Sequence, residues 1–162
     1  MGVTSYPTDV DVVSTDIELV GGKNAQVGMV REDNMGRRFI LVVAGGTISA
    51  GVGIVNGGNA FSEGSDAASP FHGVNTTGGS LSSGDYFWMQ TYGLALNSIA
   101  TDTNVVDLDL LTGAASNVST GHSTVTTSTG QNFFGWAIGD DVDAVCAAFI
   151  NPGAVGDTHA AE

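Results

Sequence analysis

Positive charge is what the chain has least of. Lys and Arg together number 4 among 162 residues, against 17 Asp and Glu, which gives a formal net charge of −13. Because phosphate groups would be repelled, the sequence argues against nucleic acid or an anionic membrane surface as a partner. Two interpretations of the acidity stay open, namely general solubility, including life in saline water, or a protein partner with basic patches.

Cysteine and long apolar runs are also scarce. The single Cys146 excludes an internal disulfide framework, and its apolar neighbours predict a small buried side chain. No apolar stretch reaches the roughly 18 residues that a membrane-spanning helix needs, and residues 1–16 are polar and acidic. We therefore expect neither a membrane span nor a signal peptide.

Motifs of catalytic and metal sites are missing too. The sequence has no H-E-x-x-H pair, no G-x-S-x-G elbow and no complete phosphate-binding loop. The three histidines, in separate segments, are His72, His122 and His159. Acidic pairs at residues 107–109 and 140–143 offer carboxylates to a hard cation such as calcium, but neither matches the EF-hand pattern. We predict no enzyme, no cofactor and no metal site.

Glycine, by contrast, is abundant. It accounts for 24 of 162 residues, about twice the usual ~7%, and it separates short apolar runs. Such a pattern, with few helix-forming residues, predicts an all-β domain built as a compact β-barrel or β-sandwich, with no helix. We expect an extended N-terminal arm over residues 1–24, the domain over residues 25–152 and a flexible tail over residues 153–162.

The most informative stretch is residues 84–93, which holds two of the three Tyr and one of the two Trp. Aromatic composition predicts a strand, and the glycine at each end sets its expected limits. On a period of two, one face carries Tyr86, Trp88, Gln90 and Tyr92, and the other carries Phe87, Met89 and Thr91. Since both faces are apolar, both should be covered, by the chain's own sheet or by another subunit.

Turn residues place the other elements. Residues 27–44 predict a hairpin with its turn at residues 33–36, and residues 56–79 predict a long surface loop. A second aromatic strand is expected over residues 133–139, then a turn at Asp140 and Asp141 and a closing strand to Ile150. The residues expected on one face of the second aromatic strand are Phe134, Trp136 and Ile138.

The four cations, Lys23, Arg31, Arg37 and Arg38, fall in one short region of the sequence. Two interpretations are open. Either they lie on a solvated hairpin stabilised by its own acids, Glu32 and Asp33, or they pair with acids of an adjacent copy. In the second case the guanidinium groups would bind carboxylates bidentately.

Four segments together resemble small virion proteins of tailed phages, a group that includes capsid decoration, or cement, proteins. They are residues 36–42 with Ala44 and residues 49–51, then residues 84–93, then residues 135–139, and the final apolar strand up to Pro152. The resemblance covers roughly residues 27–152, and its most specific part is the Gly-Asp-Tyr-x-Trp-x-Gln-Thr-x-Gly block at residues 84–93.

This resemblance implies a protein made in the host cytoplasm that forms a homotrimer and binds the major capsid protein. It would lie on the outside of the head between capsomers and stabilise the shell. On this chain, the predicted subunit contacts are Tyr86, Trp88, Tyr92, Arg37 and Arg38. The predicted capsid contacts, on the N-terminal arm, are Val3, Tyr6, Val10 and Val12.

Three other functions stay open. The chain is alternatively another virion component, such as a head fibre, tail or baseplate module, which its location in the particle would decide. A trimeric β enzyme such as a nucleotide hydrolase would need an acid and a phosphate-binding loop, which the sequence does not display. A carbohydrate-binding β module would need Trp88 or Trp136 as an exposed stacking platform.

Overall fold

A computed structural model of the chain describes residues 10–64, 70–101, 105, 107–108, 110–113, 119–122 and 133–152. These residues form one short helix and ten strands. In chain order they are α1 (Ile17–Gly21), β1 (Val30–Glu32), β2 (Arg38–Val43), β3 (Gly53–Asn56), β4 (Phe61–Glu63), β5 (Phe71–Val74), β6 (Tyr86–Ala100), β7 (Leu110–Gly113), β8 (Ser119–His122), β9 (Gly135–Val142) and β10 (Val145–Ile150).

The strands belong to a single ten-stranded sheet whose ladders are antiparallel. Its order is β4-β3-β5-β6-β10-β9-β7-β8, with β2 also paired to β6 and β1 paired to β2. The predicted all-β class is confirmed. The predicted hairpin over residues 27–44 is confirmed as well, because β1 and β2 are its two arms.

The long strand β6 joins the two parts of the sheet. Its first half pairs with β2, and the second half, from Gly93 onward, pairs with β10. The prediction that the strand ends at Gly93 is wrong. This glycine takes a φ of +95°, a conformation that costs glycine nothing, and the chain continues from there into Leu94.

The first half of β6 is covered on both faces, with the alternation that the sequence predicts. Phe87 and Met89 lie in one buried cluster, together with Ile54. Trp88 lies in a different cluster, with Leu41 of β2. Beneath the second half lies a third cluster that includes Ala95, Ile99, Phe134, Ala137, Cys146, Ala148 and Ile150.

The helix α1 corrects the prediction of a helix-free chain. Asp16 caps its start by accepting the N–H of Glu18 at 3.0 Å, and Gly22 ends it with a φ of +85°. Five residues are too few for a stable isolated helix, so its stability must come from packing on the sheet, which composition does not reveal. Within the described ranges, no helix has both the length and the apolar composition needed to cross a membrane.

Two predictions about connections are also wrong. Residues 56–79 are not one long loop, because the aromatic residues Phe61 and Phe71 start β4 and β5 there. The turn expected at Asp140 lies at Asp143 and Ala144, whose φ angles of +55° and +61° suit a two-residue hairpin. The last two strands therefore meet directly, with Val142 opposite Val145.

Candidate functional site

Trp88, a predicted subunit contact, is covered by its own chain. The ring is 4% exposed, and its Nε1–H donates to the carbonyl oxygen of Val20 in α1 at 3.0 Å. The guanidinium of Arg31 lies 5.8 Å from the ring centroid. Tyr86, another predicted contact, is half-buried against the same cluster. The burial of this ring therefore requires no second subunit, and Trp88 offers no platform for a sugar.

Close approach of α1 to the sheet depends on Gly21. A Cβ at this position would stand 2.5 Å from the Cβ of Ala25 and 2.6 Å from Cδ2 of Leu41. Carbon atoms do not approach so closely in a packed interior. Glycine is thus the residue that lets the helix backbone rest on the cluster around Trp88.

The hairpin arginines bind acids of their own hairpin. Arg37 Nε donates to Asp33 Oδ2 at 2.6 Å, and Arg38 Nε donates to Glu32 Oε2 at 3.1 Å. Asp33 Oδ1 also accepts the backbone N–H groups of Met35 and Arg37. For Arg37 and Arg38, these contacts bear out the interpretation of a hairpin stabilised from within.

The ion pair sets the titration of Asp33. Desolvation by burial acts to raise the pKa of this carboxyl. Hydrogen bonds from the Arg37 side chain and from the backbone N–H groups of Arg37 and Met35, with the charge of Arg37, outweigh it. The net pKa therefore lies below the ordinary value, as expected for a carboxylate held by donors.

A different face of the sheet, over β6, β10 and β9, is apolar and open. Leu94, Phe149 and Trp136 lie directly opposite one another on these three strands. The Trp136 and Phe149 rings stack with centroids 4.8 Å apart and an interplanar angle of 17°. Tyr92 meets Phe149 edge to face at 5.1 Å. The three strands thus carry a continuous row of rings.

Aliphatic side chains extend this row. Leu96 is 60% exposed, Ile138 is 42% exposed and Tyr92 is 40% exposed. Single exposed apolar residues are ordinary, but a contiguous apolar patch marks an interaction surface. The outer face is defined here as Tyr92, Leu94, Leu96, Trp136, Ile138 and Phe149, none of which is charged.

Polar residues border the outer face. At one end, Arg38 lies with its guanidinium 5.6 Å from the centroid of the Tyr92 ring. At the other end, the exposed Asp140 follows Ile138 on β9. An apolar centre with a polar rim is the usual anatomy of a protein–protein interface.

Asp107 and Asp140, two of the acids considered as cation ligands, accept hydrogen bonds from backbone N–H groups. Asp107 accepts the N–H of Gly139 at 2.7 Å, and Asp140 accepts the N–H of Asp107 at 3.1 Å. Among the residues with described positions, no three His, Cys, Asp or Glu side chains form a metal-binding group.

Sequence reasoning placed some site residues and missed others. Of the predicted capsid contacts, Val10 and Val12 are half-buried against the Trp88 cluster, whereas Val3 and Tyr6 lie outside the described residues. Phe134, expected beside Trp136, precedes β9 and is buried in the third cluster. The missed residues of the outer face are Leu94, Leu96 and Phe149. For Leu94 and Leu96 the signal was the alternation of large and small residues around Ala95.

Comparison with solved structures shows a fold relationship. No protein-family model and no curated protein matches the sequence. The chain is similar in structure to the N base of the head fiber gp8.5 of bacteriophage phi29, with a TM-score of 0.50. The match covers 70% of this chain and 92% of that chain at 13% sequence identity. It shows a shared fold with a phage head fiber component.

Proposed function

We propose that the chain is a non-enzymatic structural protein of a phage virion that self-associates through its outer face and binds the outside of the capsid. The observation that carries the proposal is the uncharged aromatic outer face, on which Leu96, Ile138 and Tyr92 are exposed. Two further observations support a role in a phage virion. One is the fold shared with a phage head fiber base, and the other is the sequence resemblance to phage virion proteins.

A second copy of the chain is the occupant that we propose for the outer face. Two molecules of charge −13 repel each other wherever their acids meet. The outer face carries no acid, so self-association through it brings the fewest carboxylates of the two copies close to one another. Aromatic rings such as Trp136 and Tyr92 are the residues that anchor interfaces when they become desolvated. A closed homotrimer is the form that the sequence resemblance implies.

The capsid contact is proposed to lie in the N-terminal segment that includes Val3 and Tyr6. Val10 and Val12 are already half-buried on the sheet, which makes residues 1–9 the part to test for reaching a shell. A protein that binds only the assembled shell stabilises that state by mass action. The role that we propose for this chain on the capsid is to stabilise the shell between capsomers.

The head-fibre alternative has a specific observation in its favour, namely the match to the head fiber base over 92% of that chain. In that role the domain would anchor a projecting structure rather than clamp neighbouring capsomers. Immuno-electron microscopy of intact particles separates the two roles. Even coverage of the head supports the decoration role, and label confined to projections supports the fibre role.

The test combines native mass with sedimentation on purified heads. Wild-type protein should be oligomeric and should sediment with heads. Ile138→Asp places a charge in the outer face, so it should give a folded monomer that binds heads at least tenfold more weakly, since avidity is lost. Deletion of residues 1–9 should leave the oligomer intact and abolish head binding.

Thr47→Asp, at an exposed position outside the outer face, controls for added charge. An Ile138→Asp protein with wild-type mass contradicts the interface. An oligomer that never sediments with heads contradicts the capsid role.

A further inference from the structure

A groove of about 690 Å³ lies between α1 and β1 and shares no residue with the outer face. Val20, Met29 and Trp88 supply its apolar lining, and Arg31, Asn34 and Arg37 supply polar groups. A pocket of this size with an apolar lining and a few polar groups has the general character of a ligand or peptide site.

The charged residues that line the groove differ in whether they form ion pairs. Its two acids are already engaged, Asp33 with Arg37 at 2.6 Å and Glu32 with Arg38 at 3.1 Å. Arg31 is different, because among the described residues no carboxylate lies within 4.0 Å of its guanidinium. Its guanidinium lies over the Trp88 ring. Within the described part of the chain this half-buried guanidinium has no carboxylate partner, although the sequence holds 17 acids and 4 cations.

The backbone beside the groove is also available. Within the described residues, strand β1 pairs with β2 along one edge and has no strand on the other. Met29 accepts from Leu41, and Asp33 donates to Arg37, so these residues and Arg31 direct their backbone groups toward β2. By the alternation of an antiparallel ladder, the N–H and C=O groups of Val30 and Glu32 point to the open edge. Such an edge accepts an added strand.

We propose that this groove binds an extended, carboxylate-bearing segment of a partner protein. The segment adds to the open edge of β1, and one of its carboxylates pairs with Arg31 over the Trp88 ring. Charge complementarity identifies the occupant, because the guanidinium offers a bidentate site for a carboxylate while the groove's own acids are taken. The proposal does not depend on the function proposed above.

A pair of peptides tests the site. The probe is acetyl-Val-Asp-Val-Glu-Val-amide, and its uncharged twin is acetyl-Val-Asn-Val-Gln-Val-amide. Binding is followed by Trp88 fluorescence in a Trp136→Phe background, so that Trp88 is the sole reporter. The acidic peptide should give saturable binding at least tenfold tighter than its twin, and the difference should shrink with added salt.

Substitutions test whether Arg31 is the residue that binds the acidic peptide. Arg31→Gln should weaken binding of the acidic peptide about tenfold and leave that of the twin unchanged, and Arg31→Lys should retain part of the affinity. Lys23→Gln removes the same charge at an exposed position outside the groove lining, and should change the affinity less than twofold. Amide hydrogen exchange at Val30 and Glu32 should slow when the peptide binds.

Any one of four results overturns the proposal. The first three are an absence of saturable binding, equal affinity for the two peptides, and equal losses in Arg31→Gln and Lys23→Gln. The third result would mean that net charge alone attracts the peptide. The fourth is exchange protection located away from β1, which would place the peptide elsewhere.

Discussion

The two tryptophans of the chain stand on strands of one sheet, yet they are covered in different ways. Trp88 lies beneath α1, hydrogen-bonded to Val20 and faced by Arg31. Trp136 is half-buried, with one ring face stacked on Phe149 within the open outer face. The difference shows that the burial of an aromatic strand depends on which other segments of the chain pack against it.

Stability and association should therefore divide between the two regions. Trp88 is buried by residues of its own chain, so substitutions around it should alter the free energy of unfolding. The Trp136 side is open, so changes there should alter assembly far more than folding.

The largest effect should come from Trp88→Ala. Removing a buried Trp costs about 3–5 kcal/mol, through lost apolar burial and the cavity left behind. The matched change Trp136→Ala should cost roughly 1 kcal/mol or less in the monomer, because this ring is half-exposed. Urea denaturation at a concentration where the protein is monomeric measures both, and equal losses would erase the distinction between the regions.

Gly21→Ala tests the cover over Trp88 directly. A methyl group at this position meets Ala25 and Leu41 at impossible distances, so α1 must shift, at a cost of about 1–3 kcal/mol. Gly46→Ala is the control, since nothing lies within 4 Å of a Cβ built there. Thermal or urea unfolding should separate the two variants, and similar stabilities would mean that α1 is not closely seated.

Ala144→Gly acts on the hairpin that joins β9 to β10 and so positions Trp136 against Phe149. Ala144 has a φ of +61°, which is unfavourable for an L-residue. Glycine should relieve this and raise the free energy of unfolding by about 1 kcal/mol, without changing the oligomer. A loss of stability would show that the extra chain entropy of glycine outweighs the relief.

The smallest effect should come from Asp33, which lines the same groove as Trp88. Since the folded pKa of Asp33 is lowered, its ionised form stabilises the fold above the unfolded pKa. This contribution disappears as the pH falls through the folded pKa. Asp33→Asn should thus be less stable than wild type near pH 7, by about 0.2–1 kcal/mol, and equally stable in strong acid. A difference that does not change with pH would contradict the ion pair with Arg37.

The parts of the fold that local chemistry determines were predictable from the sequence. The alternation of Trp88 with Phe87 and Met89 defined a strand covered on both faces, and Asp33 with Gly36 defined the hairpin turn. The helix α1 was not predictable, because its stability depends on Gly21 fitting against Leu41. The turn at Asp143 and Ala144 was missed because Ala carries no preference for positive φ.

The candidate site was predictable only in part. Tyr92 was identified as a contact residue, and the structure places it on the outer face at 40% exposure. Trp88 was identified from the same strand, but its cover comes from residues far away in the sequence, which no period-two pattern reveals. Leu94 and Leu96 were overlooked because Gly93 was interpreted as the end of the strand.

Acrylamide quenching of single-tryptophan proteins tests the central claim most directly. With Trp88→Phe, the fluorescence of Trp136 should be quenched readily in dilute solution and become shielded as the concentration rises through the association range. With Trp136→Phe, Trp88 should be shielded at every concentration. Trp136 quenching that stays constant while the native mass increases would contradict assembly through the outer face.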